Sequence, residues 1–165
     1  MKKKYLYLPI IIIICIVIVI FNFQGIHSNE KLIEAFLKKA LSRSEENITL
    51  YKKIYESPGT IGLGVDKETE EQSWKDNERV SEAIKRTYGE YLNDSGLEDF
   101  ENGILALLFQ IYDQDKTYEI LKIKVKEDKE FYKFQSVLKV NGQKKVLEGR
   151  VEISDDKITK IRVVQ

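Results

Sequence analysis

One cysteine, one histidine and two prolines among 165 residues exclude a good deal of chemistry at the outset. Cys15 lies inside an apolar run, so the rest of the chain holds no intramolecular disulfide, no cysteine-based zinc cluster and no cysteine nucleophile. His27 stands just beyond that run and reads as a linker residue. With no other histidine, no Ser-His-Asp, Cys-His or histidine–metal constellation forms in the body, and no metal or other cofactor is implied. An excess of charge of one sign is also missing, with 27 basic side chains against 27 acidic. Lys2, Lys3 and Lys4 are the only charged side chains before Glu30, so removing those three leaves 24 against 27, about −3 for the body. A global basic field for nucleic acid is therefore absent. "GTIGLG" lacks the Lys-Ser/Thr of a phosphate loop, "DDK" at Asp155 offers too few oxygens for calcium, and the "NIT" sequon at Asn47 falls at a helix start.

What the sequence does have is an apolar run followed by a charged, aromatic-bearing body. From Tyr5 to Phe23 nearly every residue is apolar and none is charged. As a helix, about 19 residues reach roughly 28 Å, close to one bilayer core. The three lysines hold the amino end on the cytoplasmic side, so the body faces outward. A cleaved signal favours a shorter apolar core and small residues at the cut site; "IHS" before Asn29 is a tolerable site without the Ala-x-Ala pattern. A lipoprotein signal needs a small residue before its cysteine, and Ile14 stands there. Residues 1–28 are therefore expected to be cytoplasmic lysines, a single-pass anchor meeting the bilayer through residues 5–23, and a short linker. Residues 29–165 form the extracytoplasmic domain, secreted in the alternative that the run is cleaved. At roughly 135 residues, that body is large enough for one core without staples. The low-proline, Lys/Ile/Glu-rich composition fits a bacterial source.

Ser28 or Asn29 caps a first helix, in which Leu32, Ile33, Phe36, Leu37, Ala40 and Leu41 share one face. A second helix begins near Ser44, carries Ile48, Tyr51, Ile54 and Tyr55 on its apolar side, and stops before Pro58. "SPGTIGLGVDKETEEQ" predicts a loop or short hairpin. A capping-box pattern from Ser73 to Asp76 opens a third helix that buries Val80, Ala83, Ile84, Thr87, Tyr88, Tyr91 and Leu92, and "NDSG" ends it. "ILALLFQIY" predicts a strand buried on both faces. Four more strands follow in "YEILKIKVK", "FYKFQSVLKV", "KVLEGRVEI" and "TKIRVV".

Turn lengths set the register of these strands. Asn141-Gly142, as a two-residue turn, pairs Leu138 with Lys145, Phe134 with Gly149 and Tyr132 with Val151. A loop from Glu127 to Glu130 pairs Lys126 with Phe131 and places Leu121, Ile123 and Val125 on the same apolar face. A three-residue turn from Asp155 to Lys157 adds Ile161 and Val163, whereas a two-residue turn points Lys160 and Arg162 inward. The expected fold is α+β: a transmembrane helix, then three helices packed on a curved antiparallel sheet.

This order of elements, with "EFYKFQSVLKVNGQKKVLEGRVEISDDKITKIRVV" as its long strands, resembles the nuclear transport factor 2-like superfamily from Asn29 to Gln165. The resemblance implies a cone with a pocket between sheet and long helix. It spans enzymes such as ketosteroid isomerase and scytalone dehydratase, non-enzymatic modules, and membrane-tethered bridge proteins of conjugation and type IV secretion machines. The tethered layout here looks most like the last group. A smaller periplasmic module of the PepSY kind is the competing fold, and it leaves the first two helices unexplained.

A carboxylate base is the catalytic option left, with Asp113, Asp115, Glu98, Asp99 and Glu101 as candidates. None falls on the apolar face, where burial raises a pKa for base work. Trp74, Tyr88, Tyr91, Tyr132 and Phe134 either line a cone pocket or fill the core. Lys122, Lys124 and Lys126 alternate along one strand, with Lys133 and Lys139 on the next and Lys144 and Arg150 beyond. They form either a solvated face or a docking face for an acidic partner. The function expected is a non-catalytic, membrane-anchored binding or assembly module of a bacterial cell-envelope or conjugative complex, with a protein partner. The alternatives are a small-molecule-binding or isomerase/dehydratase-like cone domain, or a secreted effector.

Overall fold

The structure, a computed structural model, describes residues 29–56, 67–104 and 117–164. It is an α+β fold. Helix α1 covers 29–41 and is followed by α2 (Glu45–Glu56), α3 (Lys67–Tyr88) and α4 (Asp94–Asp99), which runs into a π-helical turn (Phe100–Ile104). Strands β1 (Tyr118–Asp128), β2 (Phe131–Val140), β3 (Gln143–Ser154) and β4 (Lys157–Val164) form one antiparallel sheet in sequential order.

Helix α1 buries Ile33, Phe36, Leu37, Ala40 and Leu41, the face its helical spacing predicts, with Leu32 half-buried. Ser44 Oγ accepts from the Asn47 amide at 3.2 Å and caps the start of α2. Asn47 is fully buried: its Nδ2 donates to the carbonyls of Lys39 (2.7 Å) and Ser42 (2.9 Å). Its Oδ1 accepts from Tyr88 OH at 2.8 Å. One side chain thus ties the α1–α2 corner to α3, with its polar atoms satisfied inside the core. The Tyr88 ring packs against Phe36 (6.1 Å between centroids, edge-on) and Phe100 (4.7 Å). On α2, Tyr51 is buried and Ile48 and Ile54 are half-buried as expected, while the buried Leu50 lies off the expected stripe.

Two helix boundaries differ from the sequence reading. Helix α3 begins at Lys67 rather than at Ser73, because "KETEEQ" contains good helix formers and no breaker, so the capping pattern at Ser73 lies inside the helix. "NDSG" starts a helix instead of ending one: α3 stops at Tyr88, and Asn93 Oδ1 accepts from the Gly96 amide at 2.9 Å as the N-cap of α4. The described residues of the body therefore hold four α-helices where three were expected. Helix α4 lies along the edge of β4. The Asn93 amide donates to the Ile158 carbonyl (3.1 Å), the Ile158 amide to the Tyr91 carbonyl (2.8 Å), and the Ile161 amide to Asp99 Oδ2 (3.3 Å). Gly96 approaches the Ile158 carbonyl so closely that a β-carbon would collide with it.

Asn141-Gly142 joins β2 to β3 with both residues at positive φ, and Tyr132 pairs with Val151, Phe134 with Gly149 and Leu138 with Lys145, the register its turn chemistry dictates. The β1–β2 loop is a two-residue turn at Lys129-Glu130, pairing Lys126 with Lys133, rather than a loop from Glu127 to Glu130. Shortening a loop by two residues preserves side-chain parity, so Ile123 and Val125 still face the core. Leu121 does not. A bulge between Ile120 and Lys122 sends Ile120 inward opposite Leu138 and leaves Leu121 47 % exposed. The β3–β4 turn is also two residues, Asp155-Asp156, with Ser154 opposite Lys157. A second bulge at Thr159 restores the parity that such a turn alone would reverse: Ile161 is buried opposite Val151 and Val163 lies opposite Gly149, while Arg162 stays outside.

The proposed anchor at 5–23, His27, Cys15, the loop after Pro58, most of "ILALLFQIY", Asp113 and Asp115 lie outside the described residues. Ile104, the first residue of that apolar stretch, closes the π-helical turn. Among the described residues, no helix is long and apolar enough to cross a membrane.

Candidate functional site

The two faces of the sheet differ sharply. On the inner face, Tyr132, Phe134, Ser136, Leu138 and Val140 of β2 join Leu147 and Val151 of β3 and Ile158 and Ile161 of β4 in one buried cluster with the helices. On the outer face, Lys122, Lys124, Lys126, Lys133 and Lys139 are all exposed and share the surface.

Register arranges the outer side chains in rows across the strands. Lys126 lies opposite Lys133, Lys133 opposite Arg150, and Arg150 opposite Arg162, one cation from each strand. The neighbouring row reads Lys124, Gln135, Glu148, Val164, and Gln135 Nε2 donates to Glu148 Oε1 at 2.6 Å. Further along come Lys122, Val137 and Val146, then Glu119, Lys139 and Lys144. Lys133 pairs with Asp128, and the ammonium holds that carboxyl below the usual carboxylate range. Arg150 stacks on Phe131, its guanidinium 4.7 Å from the ring centroid. Among the described residues, Lys122, Lys124, Lys126 and Arg162 have no ion-pair partner. A groove of about 390 Å³ crosses the strands beside the cation row, from Lys124 and Lys126 through Gln135 and Glu148 to Val164.

Among the grooves of the described residues, none brings the aromatic candidates together. Tyr88, Tyr132 and Phe134 are buried in the core, and Tyr91 is half-buried beside Phe36. Trp74 is 60 % exposed on α3, apart from the other four, in an open groove of about 740 Å³ with Glu71, Glu78, Ser81 and Glu101. Another groove, about 420 Å³, lies between α2 and α3 and mixes Lys53, Arg79 and Arg86 with Asp76 and Glu82.

Of the carboxylate candidates, Glu98 is exposed, Glu101 accepts from Ser81 Oγ at 3.1 Å, and Asp99 receives the Ile161 amide. The Lys85 ammonium at 2.8 Å likewise holds Asp94 below the usual range. The two lowered values make Asp94 and Asp128 weaker proton acceptors. The Tyr91 phenol is pushed up by burial and by neighbouring Glu90. Among the described residues, no group of histidine, cysteine, aspartate or glutamate side chains could hold a metal ion.

No family model matches the chain, nor does any curated protein or solved structure.

Two features of the site escaped the sequence reading. Arg162 faces outward as the expected three-residue turn required, but it does so through a two-residue turn and the Thr159 bulge, and the sequence reading did not count it with the docking lysines. The Asn47–Tyr88 contact, which commits Tyr88 to the core, spans 41 residues and leaves no local pattern.

Proposed function

We propose that this chain is a non-catalytic binding or assembly module, held to a bacterial membrane by residues 5–23 and docking an acidic protein partner through the outer face of its sheet. In this reading it serves a cell-envelope or conjugative complex, with residues 29–165 extracytoplasmic and a cone-like fold related to the nuclear transport factor 2-like superfamily. One observation carries the reading: the inner faces of β2, β3 and β4 join the helices in one buried cluster, while Lys122, Lys124 and Lys126 stand exposed on the outer face, without anionic partners among the described residues. Complementary charge raises the rate and selectivity of association more than it stabilises a fold.

The test is the triple substitution Lys122→Glu, Lys124→Glu, Lys126→Glu in the full chain, read by thermal unfolding and by co-purification of envelope proteins. The expected outcome is unchanged melting with loss of the partners. Unchanged melting with the same partners would reduce the lysines to a solvated face.

A further inference from the structure

We infer that the row Lys126–Lys133–Arg150–Arg162 is a track for an acidic α-helix of the partner, laid across the strands. This rests on the docking reading above and names the form of its ligand. The first argument is spacing. Neighbouring strands stand about 4.8 Å apart, so four cations in one row span roughly 14 Å. Carboxylates on one face of a helix recur about every 5.4 Å, or roughly 16 Å over three turns, and flexible lysine and arginine side chains absorb the difference. An extended chain presents same-face side chains about every 6.8 Å, roughly 20 Å over three steps, and outruns the row.

The second argument is cost. Like charges directly opposite one another on adjacent strands destabilise a sheet. This row keeps four without an acidic residue in it, while the rows on either side contain Glu152 opposite Lys160 and Glu148 beside Gln135. Asp128 engages Lys133, and Phe131 supports Arg150, so two of the cations are held in place at the centre. Lys126 and Arg162, at the two ends, have no anionic partner among the described residues. The third argument is shape. The groove beside the row runs across the strands and ends at Val164, which is 58 % exposed and offers an apolar contact to a helix's flank.

The experiment uses the full chain in detergent micelles and three probes. One is an alanine-based helical peptide of about four turns with one glutamate per turn on a single face. The second has the same composition with its glutamates spread round the helix, and the third is inorganic polyphosphate. Binding is read by fluorescence anisotropy. The one-face peptide should bind about tenfold more tightly than its isomer at low salt, and the preference should fade at about 1 M salt, where the screening length is near 3 Å.

Arg150→Glu with Arg162→Gln should abolish the preference and, by breaking up the like-charge row, hold or raise the melting temperature. Arg162→Gln at the edge strand is the milder variant, expected to weaken the one-face peptide about threefold. Equal binding of the two peptides, tighter binding of polyphosphate, or a preference that survives the double substitution overturns the helix track. The two readings fail separately. Retained partners in the lysine triple variant overturn the docking reading, whereas equal peptide binding with lost partners removes only the helix.

Discussion

Phe134 and Lys133 are neighbours in sequence and opposites in environment, which makes them a sensitive check on the register. Phe134 is buried with its ring over Gly149, where a β-carbon would strike both the ring and the Arg162 carbonyl. Phe134→Ala should cost about 3–5 kcal/mol in denaturant unfolding, and Lys133→Ala less than about 0.5 kcal/mol; reversed costs would mean the face is off by one residue. Ser136, two positions on, is fully buried, and among the described residues its hydroxyl has no partner. Ser136→Ala should therefore be neutral or stabilising, because it removes a desolvated polar atom that forms no bond. Lys133 also depresses the Asp128 carboxyl through its hydrogen bond. A pair of this sign contributes above the ordinary carboxylate pKa of about 3.9 and fades as pH falls through the lower folded value. Lys133→Ala should move the Asp128 titration midpoint up toward the ordinary value, as carboxyl-carbon NMR would show. An unmoved midpoint would mean the pair does not form in solution.

Among the elements, the parts legible in sequence were those set by local chemistry. Asn141-Gly142 fixed the β2–β3 register because both turn residues must accept positive φ. The α1 stripe was legible because a helix repeats its buried face at constant spacing. The bulges at Leu121 and Thr159 were not, since each inserts one residue whose signature is only a break in alternation. The role of "NDSG" was misread because asparagine followed by aspartate, serine and glycine suits a helix start as well as a stop. For the same reasons the five exposed lysines could be placed from sequence, while the full row across the strands could not, because it depends on three registers at once and the β1–β2 loop was read two residues too long. Helix α4 on β4 also gives an element-scale test. Gly96→Ala should cost about 1–3 kcal/mol through the clash with the Ile158 carbonyl. The Ile158 and Ile161 amides should then exchange faster with deuterium. Unchanged exchange would show that α4 does not seal this edge.

For the molecule as a whole, location and charge act together. The full-length protein should fractionate with membranes and keep its amino terminus, which amino-terminal mass spectrometry of the mature protein decides; a species beginning at Asn29 would make the apolar run an export signal. Protease added to intact protoplasts should digest the body, and protection would reverse the proposed orientation. The order of the chain has a further consequence. A meander of four sequential strands joined by two-residue turns is assembled from local contacts and can close quickly on its own. The helices that cover it come earlier in the sequence, and α4 is completed against β4, which is synthesised after the other three strands. Leu97 and Phe100, in the segment that packs on β4, are therefore synthesised well before the strand that meets them. Until β4 follows, that edge of the helical half lacks its cover, and a chain cut before Lys157 should expose it.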